Sequence, residues 1–279
     1  MDKTQPDGGA EASVRKWLAS QGYPLEMRTA RAMRKAGLAV RCSDYYIDPE
    51  TGKARELDVA ASRNVAIGEM LNSEVCALIE CKAAKSGQQW VGFRSDVAES
   101  PALVPRVASR QGRRWLELLR FKIVPGEIAV PLLQQSPPQV HGLVATWQNG
   151  ADEQRDTAYN AVKAAAHAAE AQRIRWAEMY SSGRTIVGVA LPVVVFSGEL
   201  FTARLDEASE IEVERADHVQ VAWREPLSDS SLTLVDVVTE AALPSFCADL
   251  FQTAETLCVD HVAEARQAEA DTGPCVQVF

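Results

Sequence analysis

ARELDVAAS (residues 54–62) and VCALIECKA (residues 75–83) decide the fold class. Each is a short, largely apolar segment of strand length, and each carries acids inside it. LAVRCSDYYID (38–48) precedes them and alternates as a strand does, with turn chemistry in DPETGK (48–53). Residues 63–73 read as a loop. Upstream, Pro24 suits the first position of a helix that runs through LEMRTARAMRKA to a stop at Gly37. Its inner stripe is Leu25, Thr29, Ala32, Met33 and Ala36; Arg28, Arg31, Arg34 and Lys35 form a basic outer face. An earlier helix is expected over Glu11–Ser20, with Val14, Trp17 and Leu18 on one face. A helix and three strands therefore fill residues 24–84.

Further along, SGQQWVGF (86–93) reads as a loop or short element, and residues 95–105 as irregular. RVASRQGRRWLELLRF (106–121) reads as a basic helix with Arg106, Arg110, Arg113, Arg114 and Arg120. VHGLVATW (140–147) is a strand, and residues 152–180 form an alanine-rich helix. TIVGVALPVVVF (185–196) and ELFTARL (199–205) read as two strands around a Ser-Gly turn. EVERADHVQVAWRE (212–225) is another strand region, and residues 243–270 read as a C-terminal helix.

The composition is that of a globular protein: 279 residues, 47% hydrophobic and 24% charged. No apolar run approaches the roughly 18 residues of a membrane-spanning helix. The longest, Ile186–Phe196, is short and interrupted by Gly188 and Pro192. The N-terminus is polar and lacks a secretory core, so a cytoplasmic location without membrane partners is expected. The six cysteines show no CxxC spacing and the four histidines no close pair, which argues against zinc. Reduced, mostly packed cysteines follow from that reading. Residues 1–125 carry 20 Lys and Arg against 15 Asp and Glu, whereas residues 126–279 carry 9 against 23. Such asymmetry suits a polyanion site on one side of the molecule, and equally a solvated acidic surface.

The chemistry lies in Glu26, Asp58, Glu80 and Lys82. Strand alternation places Glu80 and Lys82 on one face of their strand. Asp58 lies on the preceding strand, which can pair antiparallel with it. An Asp and a Glu on neighbouring strands can converge on one hard cation such as Mg²⁺, which keeps waters and accepts phosphate oxygens. Lys82 beside them can hold a water or stabilise developing phosphate charge. No glycine-rich phosphate loop accompanies the set.

These residues resemble the PD-(D/E)XK, or restriction-endonuclease-like, nuclease superfamily. Asp58 matches its metal-binding Asp, Glu80 and Lys82 its ExK element, and Glu26 an acid that many members place on the first core helix. Leu57 stands where the motif has its proline. The resemblance covers about residues 11–145 and implies an α/β fold: a mixed sheet flanked by helices in the order αβββαβ, here with an added α+β C-terminal half. The expected organisation is a leader at 1–9, a nuclease-like domain at 10–225 and a helical extension at 226–279. The implied activity is Mg²⁺-dependent (or Mn²⁺-dependent) hydrolysis of nucleic-acid phosphodiesters, with an endonuclease acting on DNA in defence or repair as the expected form. Asp58, Glu80 and the Cys81 backbone carbonyl would be metal ligands. Lys82 would position water, and Glu26 would bind a second metal or its water shell.

Other readings stand beside these. Glu56 shares a face with Asp58 and is an alternative or additional ligand. Asp58 can be a sheet-edge ion-pair residue, and Glu80 with Lys82 a plain ion pair. Glu26 in a first turn also complements the helix dipole. Lys85, Gln88 and Gln89 can face substrate or solvent. Trp90 and Trp115 can stack on bases or fill the core. His167 is expected to be packed or solvated. A protein partner fits the acidic half, and the resemblance leaves a homodimer open, because many restriction-like nucleases cut duplexes as dimers. A scaffold or nucleic-acid-binding protein that keeps the fold is the alternative to an enzyme, and a hydrolase of small phosphorylated molecules is a third.

Overall fold

A computed structural model describes residues 8–19, 21–94, 107–134, 137–147, 157–224 and 232–273. Helices α1 (Gly8–Ala19) and α2 (Tyr23–Lys35) lead into strands β1 (Ala39–Ile47), β2 (Ala54–Ala66), β3 (Leu71–Lys82) and β4 (Gln88–Arg94). A short β5 (Val107–Ala108), helices α3 (Arg110–Ile123) and α4 (Pro131–Gln134) and strand β6 (Gln139–Trp147) follow. Helix α5 (Thr157–Ser181) precedes β7 (Thr185–Phe196), β8 (Glu199–Leu205), β9 (Ile211–Ala216), β10 (His218–Arg224) and β11 (Leu232–Thr239). Helices α6 (Leu243–Glu255) and α7 (Val262–Thr272) close the described chain, joined by one π-helical turn at Thr256–Asp260. Arg106 and Cys275 lie outside the described residues, as does the expected leader up to residue 7; Gly8 and Gly9 already begin α1.

The architecture is α/β: one large mixed sheet flanked by helices, ordered β1-β2-β3-β7-β11-β10-β6-β4-β8-β9, with β5 beside β7. β1 and β2 run antiparallel, as do β2 and β3; β7 runs parallel to β3 from Leu71–Thr185 to Lys82–Phe196. The loop expected at residues 63–73 is much shorter. β2 and β3 extend until only residues 67–70 separate them, with Ile67 and Gly68 donating their N–H groups to Leu71 O at 2.9 and 3.0 Å. β7 is buried along its whole length, as a central parallel strand should be. Pro192 has no N–H to give. It falls between the β5 pairing at Val189–Ala190 and the β11 pairing that starts at Val193.

The expected pair around Ser197–Gly198 exists as two strands, but they do not pair with each other. β8 pairs with β4 and β9. β3 and β7 form one parallel pair, and their continuations β4 and β8 form the next, so the two-stranded ribbon bends at residues 83–87 and 197–198. Ser197 N–H donates to Lys82 O at 3.1 Å, and Ala84 N–H donates to Ser197 Oγ at 2.9 Å. A Cβ on Gly198 would stand 2.5 Å from the Phe196 ring and 2.8 Å from Ala84 Cβ, so the bend requires glycine. Past the bend, Trp90 stacks on Phe196 with centroids 4.0 Å apart.

Residues 226–279, expected as a helical extension, contribute more than helices. LTLVDVVT, unassigned from sequence, is β11 in the middle of the sheet. The helices after it share a core with the N-terminal unit, where Phe246, Leu250 and Leu257 pack with Leu25, Met33 and Ile79. The strand beside β3 likewise comes from residues 185–196 and not from 139–147. Helix α3 is seated on β7 by its cap. Ser109 Oγ accepts N–H from Gly112 at 2.9 Å and from Gly188 at 3.0 Å. A side chain on Gly112 would meet Gly188 O at 2.0 Å.

Candidate functional site

β2 follows β3 as far as the Val59–Ile79 rung and no further, although β2 stays paired with β1 down to Ala54. Asp58 is the first β2 residue beyond that rung. Its Oδ2 accepts the Cys81 N–H at 2.7 Å, so a side chain takes the place of the lost backbone partner. This separation of the strands opens space at the C-terminal end of β3, where Glu80 and Lys82 lie. They share a face, as alternation requires, and Lys82 Nζ donates to Glu80 Oε1 at 2.5 Å. Helix α2 brings Glu26 in its first turn to the same place.

The electrostatics show how close these groups are. Burial raises the pKa of Glu26, and Asp58, Glu56 and Glu80 raise it further against the pull of Lys82. Burial raises Asp58, outweighing the Cys81 N–H and Lys82; Glu56 adds to the rise. Burial raises Glu80 against the attraction of Lys82, with Asp58 and Glu56 adding. Burial works against the Lys82 ammonium, yet Glu80 and Asp58 carry its pKa above the ordinary value. Glu26, Asp58 and Glu80 thus share one field with Lys82, and burial, with the acids' mutual repulsion, keeps all three carboxylates above their ordinary values. Glu56, kept open from sequence, belongs to this field.

A second acidic group lies nearby. Asp48, Glu50 and His167 have ligand atoms all within 4.8 Å of one another, a property no other such trio has among the described residues. Asp48 and His167 are buried. Asp48 Oδ1 accepts the N–H groups of Glu50 and Thr51 at 2.9 and 3.1 Å, and His167 Nδ1 lies 3.3 Å from the same oxygen. Arg55 Nε lies 3.2 Å from Asp48 Oδ2, and Lys163 pairs with Glu50. Sequence reasoning did not bring this trio together. Asp48 and Glu50 read as turn chemistry, and His167 lies on α5, far along the chain. Tyr46 stands between the two groups. Burial, then Glu80 and Asp48, push its phenol up to about 12, and its hydroxyl donates to Ala164 O at 3.3 Å.

Comparison with known proteins yields no matching family model, curated protein or solved structure. The site is therefore read from its own geometry.

The structure decides several of the flanking residues left open. Trp90 and Trp115 are fully buried and offer no face for a base. Gln88 is buried and donates to Thr157 Oγ1 at 2.9 Å, and Gln89 donates to Glu199 at 2.9 Å. Lys85 is exposed. Arg28 is held by Glu240, and Arg114 by Asp271 and Glu117. Arg31, Arg34 and Lys35 on α2 are exposed, as are Arg110, Arg113 and Arg120 on α3. Cys76, Cys81, Cys247 and Cys258 are buried free thiols, and Cys42 is an exposed one. No helix among the described residues is long and apolar enough to cross a membrane.

Proposed function

We propose that this chain is a Mg²⁺-dependent nuclease that hydrolyses nucleic-acid phosphodiester bonds, with DNA as the expected substrate, on a restriction-endonuclease-like core. The observation that carries the reading is the gathering of Glu26, Asp58 and Glu80 about Lys82, with Glu56 acting on the three acids, where β2 and β3 part. The order β1-β2-β3-β7 supports it too: α2 precedes the meander, α3 falls between β3 and β7, and β7 is parallel to β3.

The donor set fits a hard divalent cation. Burial first, and neighbouring acids second, hold its carboxylates above their ordinary values, and all the donors are oxygens, as a hard cation prefers. Asp58, Glu80 and the Cys81 carbonyl would hold Mg²⁺ or Mn²⁺, and Glu26 a second ion or its waters. Such an ion supplies Lewis-acid polarisation of a phosphoryl oxygen and an acidified water. Asp58 has one oxygen fixed by Cys81 N–H, which sets the direction of the other. Glu26, which would not be one of the first ion's ligands, has a pKa raised by burial and can take the proton of an attacking water. Lys82, half-buried at the edge of the group, can donate to that water or to a phosphate oxygen in the transition state.

The test is cleavage of plasmid and linear DNA by the purified protein, with Mg²⁺ or Mn²⁺ against EDTA, beside Lys82→Ala. Metal-dependent cutting that disappears in the variant is the expected result. Cutting in EDTA, or cutting that survives Lys82→Ala, would overturn the assignment. One observation favours the second reading, a nucleic-acid-binding protein with this fold: Lys82 is already closed onto Glu80. That reading predicts binding without cutting under either metal.

A further inference from the structure

Val14 and Trp17, on one face of helix α1, are both more than half exposed, and so are Tyr23 and Met27 at the start of α2. Trp17 and Tyr23 face each other with ring centroids 6.1 Å apart. Tyr23, Met27, Arg31 and Arg34 follow one another at spacings of four, four and three, so they form one stripe along α2, with Lys35 at its end. Arg31 and Lys35 are exposed and make no ion pair among the described residues. Glu26 lies three residues after Tyr23, on the edge of this stripe. An aromatic pair, a methionine and a row of cations therefore run out from the candidate site.

We propose that this face of α1 and α2 binds single-stranded nucleic acid, with bases on Trp17 and Tyr23 and phosphates on Arg31, Arg34 and Lys35. Exposed apolar patches of this kind mark interaction surfaces. The adjoining cations choose the occupant: phosphates complement them, and unpaired bases offer faces to the rings. A duplex keeps its base faces stacked and hidden, so it would use the cations alone. The proposal deepens the proposed function by naming the form of the substrate. It rests on that reading for its purpose and not for its geometry.

The test is binding in EDTA, so that it is independent of cleavage. Fluorescence anisotropy of the full chain would be followed with a labelled single DNA strand of about twelve nucleotides, the same sequence as RNA, and the blunt duplex. The expected order is either single strand tighter than duplex. Trp17→Ala with Tyr23→Ala should weaken the single strand roughly tenfold to a hundredfold and leave its salt dependence unchanged. Trp17→Phe with Tyr23→Phe should restore most of the affinity. Arg31→Ala with Arg34→Ala should weaken all probes and lower the salt slope by about 1.4 for the single strands and about 1.8 for the duplex. Equal affinity for duplex and single strand, unmoved by the aromatic variants, would overturn the proposal. So would sedimentation in which the aromatic variants dissociate a dimer while binding is unchanged, because the patch would then be a contact between copies. Single-strand binding without metal-dependent cutting would leave this inference standing and remove the nuclease reading.

Discussion

Two acidic groups lie on either side of Tyr46, and they differ in how their charge is met. Asp48 is buried, which by itself would raise its pKa, but backbone N–H groups from Thr51 and Glu50, with His167 and Arg55, bring it below the ordinary value. Glu50 has Lys163. This group ties the β1–β2 turn to α5, and every charge in it has a partner. Around Lys82 the balance is reversed: Glu26, Asp58 and Glu80 all lie above their ordinary values. The cluster with the closest ligand atoms is thus the one whose charges are partnered, and the other holds carboxylates that burial keeps above their ordinary values. Closeness of ligand atoms alone does not identify a working site. Perturbed carboxylates, held by a fold that does not relieve them, are the stronger sign.

The comparison breaks most visibly in catalysis. Asp58→Asn should reduce metal-dependent DNA cleavage by about 10³-fold or more, whereas Asp48→Asn in folded protein should leave the rate within about twofold. Equal losses in both, measured as initial rates on plasmid, would mean that the two groups act as one.

Stability should move in opposite directions. Asp48→Ala removes the acceptor of two backbone N–H groups and leaves Arg55 and His167 without their carboxylate. Denaturant melts should show a loss of about 2–4 kcal/mol. Asp58→Asn keeps an acceptor for Cys81 N–H and removes a charge that burial disfavours. In EDTA its melting temperature should rise by about 1–3 °C. A fall instead would show that Asp58 is a structural ion-pair residue.

Metal should sharpen the contrast. At a tenfold excess over Kd, Mg²⁺ should stabilise the wild type by about 1.4 kcal/mol. Asp58→Asn should lose that shift in thermal melts, and His167→Ala should keep it. The reverse pattern would move the metal site to Asp48, Glu50 and His167.

The smallest effect is on acid sensitivity. The folded pKa of Asp48 is depressed, so its contribution is present above the ordinary value of 3.8 and is lost as pH falls through the lowered folded value. Asp58 and Glu80 have raised folded values, so the metal-free protein binds more protons there when folded. Their protonation favours the folded state as pH drops toward and below those values. Asp48→Asn should therefore flatten the most acidic part of the stability curve, while Asp58→Asn should flatten the part above it.

The local elements were legible because their signals are local. Pro24 and Gly37 bound α2, the alternation of β1 and the turn at 48–53 define the hairpin, and ExK on one strand puts Glu80 beside Lys82. Which strand lies beside β3 was not legible, because the partner is more than a hundred residues away and parallel pairing leaves no turn signature. The same limit hid β11, whose mostly apolar run, broken by Asp236, has no clean period to mark it as a strand. Whether Trp90 fills the core or faces solvent was not legible for the same reason, and neither was the exposure of Trp17. A tryptophan's exposure is set by what packs over it: Phe196 covers Trp90, and Trp17 remains more than half exposed.

By itself, then, the sequence determined the helix and three-strand unit, the acids and lysine on it, and the basic face of α2. Those depend on neighbours within a few residues, where periodicity and turn chemistry act. Tertiary structure alone decided that β2 leaves β3 at Asp58, that Asp48 meets His167, and that the ribbon bends at Gly198 so that β4 and β8 continue the sheet. Each of these depends on burial and charge compensation between distant segments, and no local pattern encodes them.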